Sequence, residues 1–252
     1  MRDGRKVWLL CLGLAICGAT EAAKRTDSPS KAPVKAESDV SGRVFLFAGS
    51  LSSEYETTGF PTSEDGAGLL GGGVGFTYLT GGSNYADASI EYATPNDEGF
   101  ERTEYQASFG GYLGDFNLFT GYRMAKFGDS FSSDDDSSAC GCGNTEQGPF
   151  VGAGYGFRIG RAVTLSTSIA LNIFDVEFDD PFYPSYESNG VSLKAVGALA
   201  NSPHSVFLQL RRFTGDNETA IKDNGLSGIV PPTEYEEIYA HLGYVFSFGA
   251  GS

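Results

Sequence analysis

Histidine, cysteine and basic side chains are scarce in this sequence. Its 252 residues include 2 His and 4 Cys, and 17 Lys and Arg stand against 32 Asp and Glu, a net charge of −15. Proteins that bind nucleic acid need clustered Lys and Arg for the phosphates, so this balance excludes a general nucleic-acid binder. Cys11 and Cys17 lie near the amino terminus, which leaves Cys140 and Cys142 further along the chain. Two such close cysteines exclude a disulfide framework.

Long apolar runs are also missing. No stretch after residue 20 approaches the roughly eighteen apolar residues that a transmembrane helix needs. Residues 1–22 instead predict a secretory signal peptide, because Arg2, Arg5 and Lys6 precede the apolar run 7–15 and small residues follow it. Acylation of Cys17 is an alternative, although Ile16 stands where a bacterial lipobox has a small residue. Residues 23–40 lack apolar periodicity, which predicts a flexible linker.

From about residue 43 to residue 248 the sequence consists of some ten segments of alternating apolar and polar residues. Long connections near 52–67, 94–102, 128–148, 178–190 and 215–234 alternate with short ones at 80–83, 114–115, 160–161 and 201–203. Strand side chains point alternately to two faces, so each segment separates an apolar set from a polar or small set. In 150–159 the apolar set includes Val151, Tyr155 and Ile159. The phase is ambiguous in 43–51 and 116–127.

The last segment places Leu242, Tyr244, Phe246 and Phe248 on one face. This pattern resembles the carboxy-terminal signature of bacterial outer-membrane proteins, although residues 249–252 follow the final Phe. Such proteins have short periplasmic turns, longer extracellular loops and an even strand count, which would produce the alternation in connection length. The resemblance predicts an all-β fold for residues 41–252: a closed antiparallel up-and-down transmembrane β-barrel of about ten strands, with both termini in the periplasm. The alternative is a soluble all-β protein whose apolar faces pack in a core.

The resemblance also implies partners and a charge distribution. The expected partners are outer-membrane lipids, lipopolysaccharide and the outer-membrane assembly machinery, which would engage the C-terminal strand. Most acidic residues fall in the predicted extracellular loops, including Glu54, Glu56, Glu64, Asp65, Asp134, Asp135, Asp136, Asp179, Asp180 and Glu187.

If the apolar faces point to lipid, the opposite faces bring a layer of charge into the lumen. The predicted layer consists of Asp87, Glu91, Glu104, Arg123, Arg158, Lys194, Arg211 and His241. Its acids lie on the third and fourth strands and its bases on later ones, an arrangement that resembles the constriction of porin-like channels. Ten strands lie between a filled eight-stranded barrel and an aqueous sixteen-stranded one. The charges therefore either pair and fill the lumen, as Glu104 and Arg123 could on adjacent strands, or leave a path or binding cavity for small polar solutes.

Enzymatic chemistry finds little support in the sequence. A catalytic histidine needs its proton donor or nucleophile within hydrogen-bond reach. Outer-membrane proteases of the omptin kind use an Asp-x-His pair, which this sequence lacks. Phospholipase and deacylase barrels use His-x-Ser, whereas His204 and Ser205 are adjacent and would face opposite sides of a strand. The sequence predicts a non-enzymatic envelope or surface protein, a narrow channel or a binder of small polar solutes, with a hydrolase at the loop rim as the alternative.

The segment 132–143 combines carboxylates with two thiols. Asp134, Asp135 and Asp136 lack the alternating ligands and the closing Glu of a calcium loop. Cys140 and Cys142 have no second pair and no nearby His to complete a zinc site. We predict a solvated acidic loop with a local disulfide between the two cysteines, and neither a metal site nor a cofactor.

Overall fold

The computed structural model describes residues 39–57, 62–80, 83–95, 100–129, 143–160, 162–178, 185–200, 202–217 and 233–249. These residues form ten antiparallel strands in a closed barrel, as predicted, because β1 pairs with β10 as well as with β2. The strands are β1 (Asp39–Thr57), β2 (Ser63–Leu79), β3 (Asn84–Pro95), β4 (Phe100–Leu113), β5 (Phe116–Asp129), β6 (Asn144–Ile159), β7 (Val163–Phe178), β8 (Tyr186–Leu199), β9 (His204–Asn217) and β10 (Thr233–Gly249). The described residues contain no helix long and apolar enough to cross a membrane. The predicted signal peptide and nearly all of the predicted linker lie outside the described residues.

The two ends of the barrel differ in their connections. At one end, which we call the turn end, the strands are joined over 80–83, 114–115, 160–162 and 200–203. Gly114 and Gly160 have φ values of 67° and 64° there, a backbone conformation that glycine adopts without steric cost. At the other end, the loop end, the strands are joined over 58–62, 96–99, 130–143, 179–185 and 218–232, and all of these except 96–99 are longer than every connection at the turn end. Because every strand pairs antiparallel with its neighbours, β1 begins and β10 ends at the turn end.

The strands extend further toward the loop end than the sequence pattern predicts. Glu54 and Glu56 belong to β1, Glu64 and Asp65 to β2, and Glu187 to β8, so these five acids are not in loops. Strand pairing uses backbone groups, which continue their ladder where the side chains have already become polar. Asp134, Asp135, Asp136, Asp179 and Asp180 lie outside the described residues.

The outer face of the barrel carries a continuous apolar band. On β10 it runs from Ile238 to Phe248, about the 9–11 residues with which a tilted strand crosses a bilayer. On β1 the outward residues are apolar as far as Ala48 and continue as Ser50 and Ser52. Outward-facing aromatic residues lie toward both edges of the band: Tyr92, Tyr105 and Tyr122 toward the loop end, and Tyr78, Phe116, Tyr155, Phe246 and Phe248 toward the turn end.

The structure shows which side chains of β1 and β5 point inward, the two segments in which the sequence left this ambiguous. In β1, Phe45 and Phe47 point inward and are buried, while Val44 and Leu46 face out. In β5, Arg123 points inward and is buried. Glycines on the inner wall leave room for aromatic rings from adjacent strands, because a Cβ would collide with the ring; the pairs are Gly71 with Phe47, Gly73 with Phe45, Gly152 with Phe119, Gly190 with Phe213 and Gly243 with Phe207. These rings therefore lie against the wall.

Candidate functional site in the barrel lumen

A layer of buried side chains crosses the lumen in its loop-end half. Each of the ten strands contributes a residue that is at most 4% exposed: Phe47, Leu69, Ala93, Glu104, Arg123, Glu146, Phe174, Ser188, Phe213 and Tyr239. We call these ten residues, with Arg102, Arg211, Glu237 and His241, which also point inward and are at most 7% exposed, the plug. Since the contributions come from the whole circumference, the lumen is filled at this level.

Glu104 is the centre of the plug. Its Oε2 accepts hydrogen bonds from Arg211 Nη1 at 2.7 Å and from Arg102 Nη2, and it lies 3.0 Å from Arg123 Nε. The three arginines come from β4, β5 and β9, so one carboxylate joins strands on different sides of the barrel. Hydrogen bonds between ionised groups are about twice as strong as neutral ones. The arrangement is therefore a compact, strongly coupled cross-brace.

Three further carboxylates surround this centre. Glu91 Oε1 lies 3.4 Å from Arg102 Nη1, and Glu146 Oε2 lies 3.8 Å from Arg123 Nη2. Glu237 accepts a hydrogen bond from the Tyr239 hydroxyl at 3.1 Å. A buried charge is stable only when it is paired and hydrogen-bonded. Among the described residues, Glu91, Glu104 and Glu146 are the carboxylates that lie within ion-pair distance of the three guanidinium groups, whereas Glu237 contacts Tyr239.

Aromatic rings fill the space beside the guanidinium groups. The Arg123 guanidinium lies 4.8 Å from the Phe174 ring centroid and 4.9 Å from that of Phe213, and the Arg102 guanidinium lies 4.9 Å from the ring of Tyr239. Such cation–π contacts are strongest where water is excluded. The aromatic packing thus seals the plug that the ion pairs hold together.

His241 belongs to this sealed layer. It is 1% exposed, stacks on Phe47 with the ring centroids 4.6 Å apart, and meets the edge of Tyr239 at 6.1 Å. Its Nε2 makes no hydrogen bond to the part of the chain that the structure describes. The other histidine, His204, is on the outside of the barrel, where Nδ1 shares a hydrogen bond with the Tyr244 hydroxyl.

The turn-end half of the lumen is open in contrast to the plug. Two adjoining cavities of about 570 and 840 Å³ occupy it, and the second reaches the turn residues Gly114 and Asp115. We call these cavities the vestibule. Small polar side chains such as Ser168, Ser192 and Ser205 line much of its wall and leave it hollow.

Two kinds of charge face the vestibule. Arg43 and Asp87 form a bidentate ion pair with N–O distances of 2.6 and 2.8 Å, which also involves the Thr77 hydroxyl. Lys194 and Arg158 line the vestibule as well, and neither forms an ion pair with a carboxylate of the described residues. Lys194 is solvent-exposed within the lumen, and its Nζ lies 5.1 Å from the Phe207 ring centroid.

The sequence-predicted charge layer is therefore divided between two levels. Glu91, Glu104, Arg123, Arg211 and His241 converge at or beside the plug, whereas Asp87, Arg158 and Lys194 face the vestibule. The predicted separation of acids from bases does not occur.

Four charged residues of the lumen were not predicted from the sequence, and their positions remove the predicted separation of acids from bases. Arg43 lies in a segment of ambiguous phase, and Arg102 and Glu146 fall in segments predicted to be loops. Glu237 lies past the last predicted loop, two residues from Tyr239 on the same face, so the alternation in β10 could have placed it in the lumen. Arg43 and Arg102 put positive charge on β1 and β4, beside the acids with which they pair.

Cys140 and Cys142 lie outside the described residues, so their disulfide stays a prediction. Within the described residues no group of three or more His, Cys, Asp or Glu side chains is placed to hold a metal ion.

No protein-family model and no curated protein matches the sequence. Similar solved structures include the outer membrane protease OmpT of Escherichia coli, with 13% identity, a TM-score of 0.47, and 89% of this chain and 100% of that chain covered. The attachment invasion locus protein Ail of Yersinia pestis has 11% identity and a TM-score of 0.32, with 82% and 99% covered. An outer membrane channel of Pseudomonas putida F1 has 12% identity and a TM-score of 0.35, with 89% and 100% covered. Likenesses this distant carry no argument about function.

The class follows from the strands themselves. An even number of antiparallel strands, a closed barrel, an outward apolar band with aromatic edges and short turns at one end are the architecture of bacterial outer-membrane β-barrel proteins.

Proposed function

We propose that this protein is a non-enzymatic barrel of the bacterial outer membrane that binds a small polar solute in its vestibule and does not conduct. The observation that carries the proposal is the contrast between a filled loop-end half and a hollow, polar turn-end half of the same lumen. A channel needs a continuous wet path, whereas a binding site needs a cavity with one closed end. The narrow-channel function considered from the sequence is thus the less favoured of the two.

Planar-bilayer recording of the refolded protein tests the closed lumen. We expect no discrete conductance from the wild type, because the plug excludes water at one level. The variant Arg123→Ala/Arg211→Ala removes two of the three guanidinium groups that brace Glu104 and should produce intermittent openings. Stable, discrete conductance of the wild type would contradict the proposal.

The proposed orientation places the turn end, and hence both termini of the barrel, in the periplasm. The difference in connection length supports it, since outer-membrane barrels keep their short turns on the periplasmic side. An epitope tag inserted at residue 224, between β9 and β10, should be detected on intact cells. A tag between Gly114 and Asp115 should be detected only after the outer membrane is permeabilised. The reverse pattern would overturn the orientation.

The proposed partners are lipids and lipopolysaccharide around the apolar band, and the assembly machinery at β10. Phe248 faces outward at the turn end of β10, with its ring over Gly42 of β1. Phe248→Ser should lower the amount of barrel assembled in the outer membrane, because it removes the last aromatic residue of the C-terminal pattern. Ser247→Ala, which changes the inward neighbour, is the matched control. Equal assembly of the two variants would exclude a role for the Phe248 ring.

The hydrolase alternative gains no support from a specific contact. His241 is enclosed by Phe47 and Tyr239 in the plug, and His204 lies on the outer face beside Tyr244.

A further inference from the structure

We propose that the vestibule is an anion site, in which Lys194 binds a carboxylate or phosphate group of a small solute that enters from the turn end. The inference rests on the proposed solute-binding function and names its ligand class.

Lys194 has the properties of a ligand-binding cation. Its side chain is exposed inside the lumen and lines both cavities of the vestibule, so it stands where they meet. The other cations that line the first cavity have partners: Arg43 pairs with Asp87, and Arg123 and Arg211 pair with Glu104. Within the described residues Lys194 has no carboxylate partner. A hydrogen bond from an ammonium group to a carboxylate or phosphate oxygen is about twice as strong as one between neutral groups.

The neighbours of Lys194 suit an anion. Ser168 and Gln209 lie opposite it on β7 and β9, and Ser192 precedes it by two residues on the same face of β8. All three line the first cavity, where hydroxyl and amide groups can donate hydrogen bonds to oxygen atoms. The Phe207 ring, 5.1 Å from the ammonium nitrogen, supplies an apolar wall beside the site. The geometry thus combines one charge, several donors and one aromatic face.

The net charge of the side chains that line the vestibule is positive, which also favours an anion. Arg158 is a second cation on the wall of the second cavity, and Asp115 at the turn opposes it. Glu91 and Glu104 also reach the first cavity, but both are paired with arginines of the plug. The vestibule therefore keeps an excess of positive charge in a chain whose net charge is −15. An anion entering from the turn end would meet a field opposite in sign to that of the protein as a whole.

Isothermal titration of the refolded protein in zwitterionic detergent tests the inference. The probes are succinate, inorganic phosphate, and two molecules with the same four-carbon chain as succinate: neutral succinamide and cationic 1,4-diaminobutane. We expect saturable binding of succinate or phosphate only. Lys194→Gln should weaken it at least tenfold, and Lys194→Arg, which keeps the charge, should retain it within about threefold. Lys126→Gln, an exposed lysine on the outer face of β5, is the control and should bind like the wild type.

The outcomes separate this inference from the function on which it rests. Equal anion affinity of Lys194→Gln and Lys126→Gln would overturn the assignment of Lys194. Preference for succinamide or 1,4-diaminobutane would overturn the anion class and leave a solute-binding vestibule in place. Binding of none of the four probes would overturn both. Retained heat-modifiable gel mobility of each variant establishes that it is folded when the affinities are compared.

Discussion

Replacing Glu104 by Gln should destabilise the barrel more than any other single change of charge in the lumen. The substitution keeps the shape of the side chain but removes the one negative charge shared by Arg102, Arg123 and Arg211. Each ion pair is worth about 4 kcal/mol at 4 Å and an effective dielectric constant near 20, before the cost of removing the carboxylate from water is subtracted. Removing one partner of a buried pair costs about 3–5 kcal/mol. We expect the free energy of unfolding to fall by that amount.

Urea unfolding of the refolded barrel in detergent, followed by circular dichroism, measures this loss. With an m-value of about 2 kcal/mol/M, the midpoint should fall by about 2 M. Glu236→Gln is the control: Glu236 forms a bidentate pair with Arg212 on the solvent-exposed surface, so water screens the interaction and the midpoint should not move. A midpoint shift of less than about 0.5 M for Glu104→Gln, at an unchanged m-value, would refute the view that one carboxylate holds the plug together.

Two further substitutions test the wall of the barrel. Leu208→Arg puts a charge in the apolar band of β9 and should destabilise the folded state in lipid by about 2–4 kcal/mol. Thr214→Arg, on the same face but beyond the band, should not destabilise it. Equal effects of the two variants in urea titrations of liposome-inserted protein would exclude a membrane-embedded band at this level. Gly190→Ala places a Cβ against the Phe213 ring and should lower the free energy of unfolding by about 1–3 kcal/mol in the same titration. Gly128→Ala, with open space around it, should leave the free energy of unfolding nearly unchanged. A Gly190→Ala variant as stable as the wild type would mean that the ring can move.

The class of fold could be predicted from local patterns because a strand repeats every two residues. The outward positions of β10, Leu242 to Phe248, could be recognised from that repeat alone. The same rule failed in β1, where Phe45 and Phe47 point inward while Val44 and Leu46 face out. Both faces of that segment are apolar, so only the packing of rings against glycines of the neighbouring strand decides its phase.

The candidate site was less accessible to sequence reasoning. Glu104 and Arg123 were expected to pair because they lie on adjacent strands. Arg102 was missed because strand pairing continues into a segment that resembles a loop. The contact of Glu104 with Arg211 joins residues 107 positions apart, and its existence depends on how the barrel closes.

The sequence by itself determined a chain of about ten amphipathic strands with short and long connections in alternation, because side-chain periodicity and turn composition are local properties. Only the tertiary structure decided that the lumen is filled at its loop end and hollow at its turn end. That difference depends on the register of all ten strands at once, which brings Glu104 and its three arginines to one level and leaves Lys194 facing open space at another.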